Sequence, residues 1–290
     1  MFIGIRFFTR LLNLFYLGVI CISLSAKLQA GGFDHSYQDY NQLLADIVQL
    51  SPDQKQSRVK YQQLQVKQTA LENYLRRLSA VDKNQFDAWD KNQKLSFLIN
   101  AYNGFTLKLI IDNWDKFKQR DASSIRDLGS LFTTPWEREF FTLFGDKHSL
   151  DDIEHEMLRK WFNEPLIHAA LVCAAVSCPP LRNEAFLPAN LSQQLQSQMQ
   201  LFLADNSRNE IRVNHGKGQG SLSPIFKWYR GDFEKGDGGF HSLFEFISTY
   251  REALVKDDTD QQAQRAVINS GKYPIMFKDY DWRLNDVANF

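Results

Sequence analysis

Residues 95–111 read LSFLINAYNGFTLKLII. On a helical wheel Leu95, Leu98, Tyr102, Phe105 and Leu109 share one face, while Phe97, Ile99 and Ile110 fall outside it. A helix that is apolar nearly all round is a buried one, so the stretch from about Trp89 to Trp114 is expected to run through the centre of the fold. Ser96, Asn100 and Asn103 lie within about one quadrant opposite the main stripe, at about 100° per residue. Leaving a buried amide unpaired costs about 1–3 kcal/mol. Asn100 and Asn103 therefore either tie neighbouring loops to the core or line a pocket and touch a substrate, and both readings stand at this level.

Working outward, SYQDYNQLLADIVQL (36–50) and KQTALENYLRRLSAV (67–81) carry helical spacing and read as packing helices. FFTLFGDKHSLDDIEHEMLRKWF (140–162) reads as a strand over 140–144, a turn at Gly145-Asp146, a return strand and a helix capped by Ser149, with Asp152 completing a capping box. On that helix Leu150, Ile153, Met157 and Trp161 form the apolar stripe. Glu154 falls inside it, and a carboxylate aimed at a core needs a partner or a task. His155 is turned about 100° further, toward the flank. PANLSQQLQSQMQLFLAD (188–205) and HSLFEFISTYREAL (241–254) are further helices, and NEIRVNHGKGQGSLSPIFKWY (209–229) reads as strand, glycine-rich loop, strand and short helix. The expected fold is a single α+β domain over 31–290. It is helix-rich, with a small antiparallel sheet built from the Phe140 hairpin, a His168 strand and strands near Ile211 and Leu222, and the Asn-bearing helix packs against that sheet.

The chain has three cysteines. Two lie in HAALVCAAVSCPPLR (168–182). His168, Cys173 and Cys178 are five residues apart, which on a regular helix means about 7.5 Å of rise and about 140° of turn, so they converge only if the segment breaks. The best division is a strand over 166–172, then a tight turn or short helix starting at Cys173, with Pro179 forcing Cys178 out of the helical region. Cys173 would then sit at a helix N-terminus, where thiolates are stabilised. Three chemistries fit: a Cys173–Cys178 disulfide across the turn, a reactive thiol served by a nearby imidazole, or a zinc site adding His155 and His168, whose spacing matches no familiar pattern.

The first thirty residues, MFIGIRFFTRLLNLFYLGVICISLSAKLQA, place Arg6 and Arg10 before an apolar stretch and end in small residues, as a secretory signal does. The sixteen residues from Leu11 to Ala26 fall short of the roughly 20 that span a bilayer, so no stable span is expected in the mature chain. Lys plus Arg equal Asp plus Glu at 34 each, and removing Arg6, Arg10 and Lys27 with no acid leaves 31 − 34 = −3. Such a chain has no electrostatic footprint for nucleic acid. A periplasmic or secreted location is expected, and with it an oxidising setting that favours a disulfide for the two remaining cysteines.

FLINAYNGFTLKLI, SLDDIEHEMLR, HAALVCAAVSCPPLR, LSPIFKWYRGDF and YDWRLN, in that order, resemble the family called domain of unknown function 547, over about Val59 to Asn285. Where this chain has Val172 and Ala174, that family usually has Asn and often Gly. The resemblance implies that Asn100, Asn103, Glu154, His155, His168, Cys173 and Cys178 occupy motif positions. It implies no activity.

The expected chemistry is a thiol-dependent hydrolase or acyl transferase acting on an amide or thioester in the envelope. Its roles would be analogous to those of papain-like and transglutaminase-like enzymes, and a layout of that kind would go with them. Cys173 is the first choice of nucleophile, because Pro179 gives Cys178 no following N–H for an oxyanion. His168 is the base, Glu154 its partner, and Asn100 or Asn103 an oxyanion or substrate contact. Cys178 is the resolving thiol, and His155 completes the candidate set. The alternative is a binding module for a small molecule or peptide, in which a Cys173–Cys178 disulfide stiffens a pocket wall of Asn100, Asn103 and Glu154. Neither reading calls for a cofactor or a metal.

Overall fold

Every residue from Leu95 to Ile111 except Lys108 is buried, and the fold is organised around that fact. The computed structural model describes residues 32–256 and 260–289; the expected signal segment lies outside them. The central helix spans Lys91–Asp112 and begins at a reciprocal capping box, in which Asp90 accepts from the Gln93 N–H and Gln93 accepts from the Asp90 N–H. It packs on the helix Gln68–Ser79, on the helical segment Asp152–Leu158 and on the turn Pro188–Asn190. Its contact with the hairpin runs through Phe105, stacked on Phe141 at 3.8 Å between ring centres. The expected packing of this helix on a sheet is thus corrected: its neighbours are mostly helices.

The architecture is α+β, with helices dominant and three small sheets. Val48–Leu50 pairs antiparallel with Ser57–Val59. Phe141–Leu143 pairs with Asp146–His148 through a two-residue turn at Phe144 (φ 55°) and Gly145 (φ 92°), the doubly left-handed geometry that matches strand twist. Glu210–Asn214 pairs antiparallel with Lys217–Leu222, which pairs parallel with Ile275–Phe277. The single antiparallel sheet expected from sequence is therefore three separate pieces, and one pairing is parallel. The His168 strand is also corrected: Ile167–Ala170 is one turn of α-helix. A short apolar run reads equally as buried strand or buried helix, and Ala169 and Ala170 favour the helix.

The helix after Ser149 starts as expected, with the Ser149 N–H donating to Asp152 and the Asp152 N–H to Ser149 Oγ. From Asp152 to Leu158 it is π-helical, closed by the Arg159 N–H bonding to the Glu154 carbonyl. The wider turn rotates everything after it. Leu158 is fully buried, while Trp161, expected in the apolar stripe, is 45% exposed. Single π turns inside helices often mark functional sites.

The C-terminal segment threads back across the molecule. Val176 and Ser177 donate to the carbonyls of Arg283 and Asp281, Asn285 donates to that of Ala174, and Val59 donates to that of Asn285. Residues 280–285 thus pin the cysteine turn in place. Residues 33 onward gather into one compact unit. Among the described residues no helix is long and apolar enough to cross a membrane.

Candidate functional site

The two asparagines clamp chain to chain. Asn100 donates to the carbonyl of Phe186 (2.8 Å) and accepts from its N–H (2.9 Å). Asn103 does the same for the Ala170 carbonyl (2.9 Å) and the Val172 N–H (3.0 Å). Each side-chain amide stands in for a strand neighbour and satisfies two backbone groups. Of the two readings open in the sequence, the tie to neighbouring loops is the one observed. Neither residue is among those lining the cavity described next; what both do in the structure is position neighbouring chain. Asn103 in particular holds the segment between His168 and Cys173.

That segment forms part of a cavity of about 280 Å³. Glu154 reaches it from the π-helical turn, His168 from the short helix and Cys173 from the turn that follows. Trp136, Trp228, Tyr229, Tyr280 and Trp282 supply aromatic wall. The rings are mutually packed: Tyr280 lies 4.8 Å from Trp228 and 4.5 Å from Trp282, and Trp136 lies 5.8 Å from Trp282. Thr134, Asp151 and His155 add to the polar lining, and among the described residues no lysine or arginine is part of it.

Glu154 is 5% exposed. Its partners are the hydroxyls of Tyr102 and Tyr229, whose pKa values are pushed far up by burial and further by the carboxylate they face, so both remain donors. Burial also raises the Asp151 carboxyl, against the pull of His155 and with a further push from Glu154. Two acids face one aromatic space. The sequence expectation that Glu154 needs a partner holds, but that partner is a pair of phenols and not His168.

His168 is paired elsewhere. Its Nε2 lies 2.8 Å from Asp232 Oδ2, and its ring stacks on Tyr229 at 3.9 Å. Arg159 grips the same carboxylate through Nε (2.5 Å) and Nη2 (3.0 Å). Burial of Asp232 would raise its pKa, but the hydrogen bonds from His168 and Arg159 outweigh that and hold it well below the carboxylate range. Burial lowers His168, more than the Asp232 hydrogen bond raises it. The consistent assignment is an ionised Asp232 neutralised by Arg159, with a neutral imidazole donating from Nε2. Arg159 also contacts His155 Nδ1 at 2.9 Å, so His155 belongs to this ion-pair network at the cavity edge.

Cys173 and Cys178 form a disulfide, with Cα atoms 6.1 Å apart. Cys173 follows the irregular residues 171–172 and does not begin a helix, so the expected helix N-terminus at the thiol is corrected. The turn is made by Ala174, whose φ is 58°, a region where glycine is at ease and alanine is strained by about 1–2 kcal/mol. That is the position at which the resembling family often has Gly. With the sulfurs bonded to each other, the zinc alternative has no thiolate donors. Among the described residues no cluster of His, Cys, Asp and Glu is arranged to hold a metal ion.

Sequence reasoning missed Asp232, Tyr229 and the aromatic wall. Tyr229 and Asp232 stand in LSPIFKWYRGDF, and Tyr280 and Trp282 in YDWRLN, both already quoted as motifs, which was the signal available. No curated protein and no solved structure matches the chain. Residues 86–203 match the model of a family described as protein of unknown function, DUF547, and that span carries the central helix, Glu154, His168 and both cysteines but not Asp232, Trp228 or Trp282.

Proposed function

We propose that the cavity binds a small organic cation, a primary or methylated ammonium, and that the protein is an exported binding module. The observation that carries this is the lining: Glu154 and Asp151 beside Trp136, Trp228, Tyr280 and Trp282, with no lysine or arginine among the lining residues. Aromatic faces attract cations by about 0.5–2 kcal/mol each, more when desolvated. A buried carboxylate held by two phenol hydroxyls gains from a positive guest. The disulfide stiffens the wall that carries Cys173. The charge pattern at the N-terminus supports export, and N-terminal sequencing of the processed protein tests it: an intact Met1 on a membrane-bound product overturns it.

Calorimetry with choline and its uncharged isostere 3,3-dimethylbutanol tests the binding. Choline is expected to bind at least tenfold more tightly than the isostere, and Glu154→Gln to erase that preference while leaving isostere affinity unchanged. Equal affinities for the two in the unmodified protein overturn the reading.

A second reading, the thiol-dependent hydrolase or acyl transferase acting on an amide or thioester, is favoured by one observation: His168, backed by Asp232, shares the cavity with Cys173. It requires the reduced protein and an activated Cys173. Alkylation of Cys173 below pH 7 that slows in His168→Ala supports it; labelling only near the ordinary thiol pKa of about 8.5 removes it.

A further inference from the structure

The two sulfurs of the disulfide are not equivalent. Cys178 is 1% exposed, whereas Cys173 is half-buried and forms cavity wall. Cys178 Sγ accepts from the backbone N–H of Cys173 (3.1 Å) and of Ala175 (3.3 Å). The left-handed Ala174 between them turns both N–H groups to one side, making the concave arrangement of successive amides that holds anions. Tyr280 Oη lies 3.4 Å from the same sulfur and 3.2 Å from Cys173 Sγ. A disulfide sulfur is a weak acceptor and has little use for three donors; a thiolate has a strong use for them. A bridge closing so short a loop also restrains little of the unfolded chain.

We propose that Cys173–Cys178 is a thiol–disulfide exchange site of fixed polarity, in which a thiolate entering through the cavity attacks Cys173 and Cys178 departs as a thiolate held by the two N–H groups and Tyr280. In the first step a bond forms between the incoming sulfur and Cys173 Sγ, the Cys173–Cys178 bond breaks, and its electron pair passes to Cys178 Sγ. A second thiol of the same kind then attacks the incoming sulfur and releases Cys173. Overall two external thiols lose two electrons to become a disulfide, and the protein disulfide gains them to become a dithiol. The substrate class is therefore a thiol small enough for the cavity, or one carried on a flexible segment. Access fixes which sulfur is attacked, and the stabilised leaving group sets the rate.

The test begins with the oxidised full-length protein and 2-mercaptoethanol, quenched in acid, alkylated and read by peptide fragmentation. The adduct is expected on Cys173 and the alkyl group on Cys178. The reduced protein, titrated by thiolate absorbance as the difference between wild type and Cys178→Ser, is expected to show Cys178 ionising at least thirtyfold more readily than an ordinary thiol of pKa about 8.5. Tyr280→Phe, which keeps the ring, is expected to slow exchange about tenfold. An adduct on Cys178, no adduct while the protein stays folded, or a Cys178 titration at or above the ordinary value each overturns the proposal.

Discussion

His168 and Asp232 share one hydrogen bond, and Arg159 decides where the charge rests. With the guanidinium already balancing Asp232, a second positive charge on a fully enclosed imidazole gains little and loses its hydration. His168 is therefore neutral in the folded chain, its pKa held below the ordinary 6.5 by burial. In the unfolded chain it protonates near that value. Below about pH 6.5 the unfolded state binds a proton that the native state does not, so stability falls with acid at up to about 1.4 kcal/mol per pH unit. The Asp232 contribution has the opposite origin and a lower window: its pKa is depressed, so its stabilisation is complete above 3.8 and is lost only as pH falls further. Urea unfolding of wild type and His168→Gln checks this. The stability gap is expected to be flat above pH 7 and to shift steadily in the variant's favour from pH 6.5 to 5; a gap independent of pH would mean that the imidazole takes up its proton alike in the folded and unfolded chain. At this scale Glu154 was legible, because a carboxylate inside an apolar stripe is conspicuous on a wheel. Asp232 was not, because nothing local relates it to a histidine 64 residues away.

The central helix was legible almost whole, since burial of every residue but Lys108 over seventeen positions leaves a signal that no flanking choice can blur. What it packs against was not. Gly104 shows why: a Cβ there would lie 3.0 Å from Leu75 Cδ2 and 3.1 Å from the Tyr74 ring, so the missing side chain is the contact surface with the helix Gln68–Ser79. Tyr74 cannot retreat, being 2% exposed and stacked on Tyr40 at 4.0 Å with the rings nearly parallel. Gly104→Ala gains up to about 1 kcal/mol of helix propensity, yet forcing a methyl into this seam costs about 1–3 kcal/mol. The expected net result is a loss of about 1 kcal/mol in urea unfolding, and a stabilised variant would show that the two helices can part. The misread elements share a different cause. The Ile167–Ala170 turn is too short for periodicity to type it, and the π-helical stretch changes the period itself, so a wheel drawn at 3.6 residues per turn misplaced Trp161 while placing Leu150, Ile153 and Met157 correctly.

Across the whole molecule, the cavity is assembled from segments far apart in the chain, and the C-terminal strap is what closes it. Tyr280 and Trp282 form wall, while Asn285 accepts from Val59 through its backbone and from the Tyr61 hydroxyl (2.8 Å) through its side chain. The same strap covers the buried turn that holds the disulfide, so stability and site depend on one stretch of fewer than ten residues. Ending the chain at Asp279 would strand the Val59 and Val176 N–H groups and the Tyr61 hydroxyl, at about 1–3 kcal/mol for each one left buried, and would open the cavity to solvent. Ending it at Asp286 keeps every one of those contacts and forfeits only the final turn, with the Asn289 hydrogen bond to the Leu284 carbonyl, worth about 1 kcal/mol. The shorter chain is therefore expected to lose at least 3 kcal/mol and choline binding with it, and its disulfide to be reduced faster by a given thiol. The longer one is expected to stay within about 1 kcal/mol of the full chain and to keep its affinity. Coincident urea midpoints for the two truncations would mean that the strap rests on the fold without holding it.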